Sequence, residues 1–137
     1  MKRILLALAA SAAMMASAQA ANIGVSMALF DDNFLTVLRN GMQDAASKKE
    51  GMDLQVEDAT NDIGKQLNQI QNFIAQGVDG IIVNPVDTDA TPQMTKLASD
   101  AGIPLVYVNR QPADIESLPE KVAFVGSDEK ESGTLQM

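Results

Sequence analysis

The sequence predicts an α/β fold in which a parallel sheet is flanked by helices on both faces. Two observations and one rule of chain geometry carry that expectation. Gly51, Gly77 and Gly102 recur at nearly even spacing, each closing an amphipathic stretch and each followed shortly by an apolar run. That is the rhythm of repeated βα units, and the differing motifs between them exclude a solenoid. Ile81-Ile82-Val83 is an aliphatic run without polar alternation, as a strand covered on both faces requires. Right-handed crossovers then turn successive βα units into a parallel sheet with helices on both sides.

Length and composition bound the rest. The chain has 137 residues, 46% of them hydrophobic and 20% charged, an ordinary globular balance for one domain. Aromatics are few, so the core must be aliphatic and rich in Ala and Met. Cys and His are both absent, which removes thiol nucleophiles, disulfides, His bases and the commonest zinc ligands. No metal and no cofactor is expected. Lys2-Arg3, the apolar Ile4–Ala16 and Ala18-Gln19-Ala20 have the order of a secretory signal peptide, so residues 1–20 are expected to be removed on export to the periplasm. The net charge is −8 for the whole chain, and it grows more negative without Lys2 and Arg3. Such an acidic surface argues against nucleic acid and anionic membranes as partners.

The elements follow in order. Asn22–Ala28 reads as a first strand. A loop over Leu29–Asn33 leads to a helix with Phe34, Val37, Leu38, Met42, Ala45 and Ala46 on one stripe, offsets of three and four. Lys48 and Lys49 sit in its last turn, and Gly51 ends it. Leu54–Asp58 is the second strand. Asn61 or Asp62 caps a second helix with the stripe Ile63, Leu67, Ile70, Phe73 and Ile74. After the Ile81–Asn84 strand, Asp89 or Thr91 caps a third helix, with Pro92 in its first turn and Met94, Leu97, Ala98 and Ala101 inward. Pro104–Val108 and Val122–Val125 are the last strands, separated by a surface loop over Gln111–Lys121. The closing residues read as the opening turns of an uncompleted helix, and the expectation is a fragment.

Three strands end in polar groups: Asp31-Asp32 after the first, Asn84 after the third, Asn109-Arg110 after the fourth. Carboxyl ends of parallel strands are where open α/β sheets place ligands, so a crevice there is the leading expectation. Asn, Asp and Arg side chains at such an edge can each make two hydrogen bonds to one ligand. Each residue also has a structural reading. Asn84 before Pro85 fits a turn, Asp31 or Asp32 a helix cap, Phe34 the helix stripe, and Arg110 a surface ion pair.

The FDDNF segment (Phe30–Phe34), Val83-Asn84-Pro85 with Asp87-Thr88-Asp89-Ala90, Val108-Asn109-Arg110-Gln111 and Gly126-Ser127-Asp128 occur in order behind the signal peptide. Together they resemble the N-terminal lobe of a type I periplasmic sugar-binding protein, the ribose-binding-like branch of ABC importers. The Phe30–Leu35 wording is most similar to inositol- and rhizopine-binding proteins. The resemblance implies ligand contacts at Asp32, Phe34, Asn84, Asn109 and Arg110, with Leu35 replacing a second aromatic and Asn109 standing where ribose binders carry Asp. It implies a lobe over 21–126 and the first hinge crossing at Ser127 and Asp128, opening 127–137. Asp128 also fits a cap for the unfinished helix. It further implies a monosaccharide or cyclitol ligand, a permease partner in the inner membrane and a monomer.

Two other classes compete. An enzyme on a flavodoxin-like sheet lacks support, because the sequence has no G-x-S-x-G elbow, P-loop or G-x-G-x-x-G. An effector domain of a lactose-repressor-like regulator would carry a helix-turn-helix where this chain has its export signal. A lobe fragment without function is the remaining alternative.

Overall fold

The computed structural model describes residues 20–127. Residues 1–19 of the expected signal peptide, the hinge residue Asp128 and the expected opening helix turns after it lie outside the described residues. The elements are β1 (Ala21–Met27), α1 (Asn33–Ser47), β2 (Met52–Asp58), α2 (Ile63–Gln76), β3 (Gly80–Val83), α3 (Thr91–Asp100), β4 (Leu105–Val108) and β5 (Val122–Val125). The strands form one sheet in the order β2-β1-β3-β4-β5. Every pairing is parallel, with Ile23 opposite Leu54 and Gly80, Ile81 opposite Leu105, and Leu105 opposite Val122. All carboxyl ends therefore share one edge.

Strand alternation divides the apolar residues between two faces. Val25 and Met27 of β1 pack with Leu35 of α1, and Leu38, Met42, Leu54, Val56 and Ile82 join them. On the other face Ile70 and Phe73 of α2 and Met94 and Ala98 of α3 enclose Ile81, Val83, Leu105, Tyr107 and Val122. Helices thus cover both faces as expected, one on the first and two on the second. The second face is the better sealed, and complete burial of an aliphatic or Phe side chain there is worth roughly 1.5–3 kcal/mol. Phe73 presses so closely on β1 that a Cβ on Gly24 would lie 2.4 Å from its ring, so only glycine fits there. Gly77 and Gly102 close α2 and α3 as read, with φ of 70 and 69°. In contrast, α1 ends at Ser47 with Lys48 as its cap, so Lys48 and Lys49 lie past its last turn and Gly51, φ 77°, stands in the turn before β2.

Several local expectations are corrected. The stripe of α1 is rotated, leaving Phe34 60% and Val37 70% exposed and Ala45 exposed, while Leu35 is buried. Asp32 Oδ1 accepts the Leu35 N–H at 2.8 Å and starts the helix at Asn33, and the face that packs on β1 is the one carrying Leu35. Leu35, Leu38, Met42 and Ala46 then fall on the sheet side, a second set of three- and four-residue offsets within the same segment. Neither Asp89 nor Thr91 caps α3. Asp87 instead accepts the Asp89 N–H at 2.9 Å and starts a 3-10 turn, Thr88–Ala90, that runs into the helix. Thr91 is buried, and its hydroxyl donates to Thr88 O and accepts from Ala113 N–H, pinning the loop before β5. Ala101 is exposed at the end of α3. The Gln111–Lys121 loop holds a short 3-10 turn at Ile115–Ser117.

Candidate ligand crevice at the carboxyl edge

The strand order sets where a crevice can form. The connection after β1 runs to β2 on one side, and that after β2 returns past β1 to β3 on the other. Loops leaving β1 and β3 therefore diverge, and the gap between them is the topological switch point. Both loops carry residues singled out from the sequence, and Asn109-Arg110 follows β4 next door.

At the head of α1, Asp32 is exposed with one carboxylate oxygen on the Leu35 N–H. It is a helix cap standing at the edge. Phe34, one residue into the first turn, is not core; its ring is mostly exposed. Leu35, expected at an aromatic ligand position, points into the core instead. Phe30 is structural, with the Arg39 guanidinium carbon 4.0 Å from its ring centroid.

Asn84 lies just past β3 and is fully buried. Its Oδ1 accepts the Ala28 N–H and its Nδ2 donates to Val108 O, each at 3.3 Å. Its own N–H donates to Ser26 O at 2.9 Å. Asn84 thereby clamps the ends of β1, β3 and β4 together. Both ends of the amide are engaged inside the protein, so it braces the floor of the crevice and does not face a ligand. Pro85 favours an extended backbone at Asn84, which keeps the side chain in register between its two neighbours.

Asn109 has φ 68° and is half-buried. The Arg110 N–H reaches back to Val108 O at 2.8 Å, closing a three-residue turn around it. Asn is among the few non-glycine residues that accept such φ at modest cost. The turn sends Arg110 back toward the switch point, where Nη1 donates to Pro85 O at 2.8 Å and Val86 O at 3.0 Å. A planar cation is thus anchored across the loop that leaves β3 while the residue stays exposed. Ser127 is exposed beyond β5. Among the described residues no group of His, Cys, Asp and Glu could hold a metal ion.

Sequence reasoning missed a buried amide set on α2. Gln66 is fully buried: Nε2 donates to Ser26 Oγ and Asn84 O, both at 3.0 Å, and Oε1 accepts the Val86 N–H at 2.8 Å. Gln69 accepts from Ser26 Oγ at 2.7 Å and donates to Asp58 O at 2.9 Å. The signal was present, since both glutamines lie within the apolar stripe, four residues before Ile70 and Phe73. Thr60 and Asn61, in the loop after β2, also take positive φ at this edge, 52 and 58°.

A groove of about 450 Å³ lies elsewhere, between α1 and the amino-terminal half of the sheet, lined by Ile23, Met42, Leu54, Ile82 and Val106. It is apolar and remote from the polar strand ends.

A parallel five-stranded sheet with a polar edge at its switch point defines a class of ligand-binding scaffold, and comparison narrows it. Residues 23–137 match the family described as periplasmic binding protein domain, and the chain belongs to that family. A protein of Rhizobium meliloti named "Putative rhizopine-binding protein" is 62% identical over 99% of this chain and 44% of its own length. The ribose import binding protein of Escherichia coli is 32% identical over 89% of the chain and 40% of its own. An ABC transporter solute binding protein of Bacillus halodurans, solved with bound myo-inositol, aligns with TM-score 0.74 at 33% identity, covering 88% of this chain and 44% of that one. The chain spans less than half the length of these relatives.

Proposed function

We propose that the carboxyl edge forms one wall of a site for a monosaccharide or cyclitol, in an exported solute-binding protein that delivers its ligand to an ABC permease. The observation that carries the reading is Arg110, a planar fork anchored by Nη1 on the loop that leaves β3, beside the switch point. Phe34 supplies an exposed ring in the first turn of α1, suited to the C–H side of a sugar. Asn109 and Asp32 contribute polar groups at the same edge, and Asn84 holds the strand ends in place. The likeness to proteins named for rhizopine, ribose and inositol supports this ligand class over a catalytic role. Residues 21–126 would be the N-terminal lobe, and 127–137, with Ser127 and Asp128, the first hinge crossing toward a second lobe whose closure completes the site. Residues 1–20 would direct export to the periplasm.

The test is calorimetric titration of the exported polypeptide that contains this chain, with myo-inositol and ribose. Binding of one of them, weakened at least tenfold by Arg110→Ala, is the expected result; a tenfold loss is about 1.4 kcal/mol. Absence of binding to both, or unchanged affinity in the variant, overturns the reading. Intact mass of the exported protein checks removal of residues 1–20.

A further inference from the structure

We propose that Gln66 is the positioning residue of the crevice: its buried amide sets the loop after β3, and through that loop the place of the Arg110 guanidinium. The chain of contacts is continuous. Gln66 Nε2 donates to Asn84 O and Oε1 accepts from Val86 N–H, so one amide grips the loop on both sides of Pro85. The two carbonyls that receive Arg110 Nη1 belong to Pro85 and Val86, the residues held between and at those grips. Asn84 carries the same constraint outward to Ala28, at the entry to the Asp32 loop, and to Val108, at the entry to Asn109. A helix side chain that touches no candidate ligand atom thus fixes loops from three strands in one relative placement. Its complete burial and three hydrogen bonds leave it a single arrangement.

Gln69 is the matched control on the same helix. It is equally an amide buried against Ser26, but its other partner is Asp58 O, away from the 84–86 loop. Gln66→Met and Gln69→Met each keep side-chain length and remove the amide, so both are expected to lower stability. The distinguishing readout is amide hydrogen exchange in this chain, taken as the ratio of Val86 to Ile82, which refers opening of the loop to that of the neighbouring strand β3. Gln66→Met is expected to raise that ratio at least tenfold and to free rotation of the Arg110 guanidinium in nitrogen-15 spectra. Gln69→Met is expected to leave both within twofold of the parent. An unmoved ratio and guanidinium in Gln66→Met, or equal changes in the two variants, overturn the positioning role. The ligand arm rests on the sugar-binding reading: affinity for myo-inositol or ribose is expected to fall at least tenfold in Gln66→Met and less than twofold in Gln69→Met. Mobile loop readouts with full affinity retained also overturn it as a determinant of binding. Lack of binding by the parent removes the sugar-binding reading, while the exchange ratio and guanidinium still decide the positioning role.

Discussion

β3 and β4 lie side by side, each is followed at once by an asparagine, and the two asparagines do opposite things. Asn84 is sealed from solvent with its amide shared between β1 and β4. Asn109 turns the chain through positive φ and sends Arg110 back over the edge. A polar residue at a strand end is therefore not a ligand contact by virtue of its place. The following residue decides: Pro85 keeps Asn84 extended between its neighbours, whereas Arg110 allows Asn109 to bend out of the sheet. One asparagine builds the scaffold, and the other aims a side chain.

The largest effect that would break this contrast lies at Asn84. Asn84→Leu strands the Ala28 N–H in the interior, takes one of two donors from the Val108 carbonyl, and is expected to cost about 2 kcal/mol in denaturant unfolding. A loss below about 1 kcal/mol would mean the clamp is dispensable. Tyr107, two residues before Asn109, tests how far the buried polar design extends along β4. Its hydroxyl donates to Thr91 O and shares a hydrogen bond with Thr95, each at 2.8 Å. Burial pushes its pKa from 10.0 up to about 12. The neutral form is the one the fold favours, so this contribution is fully present below the unfolded pKa and is lost as pH rises from about 10 to about 12. The loss is expected to reach roughly 2–3 kcal/mol and to vanish in Tyr107→Phe, as read by unfolding at successive pH values.

Smaller effects sharpen the other half of the comparison. Asn109→Val forces a β-branched residue into left-handed backbone and is expected to cost about 1–2 kcal/mol, against little change for Asn109→Gly. Equal stability of the two would show that the turn relaxes. Phe34→Ala is expected to shift stability by less than about 0.5 kcal/mol, since the ring is mostly exposed, while weakening polyol affinity in the same titration. A large stability loss with affinity intact would return Phe34 to a structural role.

Much of the fold was legible because it rests on periodicity and punctuation. The aliphatic run of β3, the glycines after each helix and the apolar offsets of α2 state the βα repeat without reference to distant contacts. The rotation of α1 was not legible, because two overlapping sets of offsets share Leu38 and Met42, and only packing against Val25, Met27 and Leu54 of the sheet selects between them. At the candidate site the strand ends located the edge but not the direction each side chain takes. Whether Asn84 faces inward depends on carbonyl and N–H groups contributed by strands far away in sequence. Gln66 and Gln69 were visible as polar breaks in an apolar stripe, yet their partners exist only once α2 lies across β1 and β3.

Tyr107 has one more consequence. The chain holds a single Tyr and no Trp. Near-ultraviolet absorption and emission beyond that of phenylalanine therefore arise from one ring, enclosed by α3 on the face away from α1. This chain carries a built-in optical gauge of its interior, attached to the strand that aims Arg110. A change in tyrosine emission on adding a polyol would report that strain at the rim had travelled down β4, and a silent signal would report a rim that accepts ligand over an unmoved base.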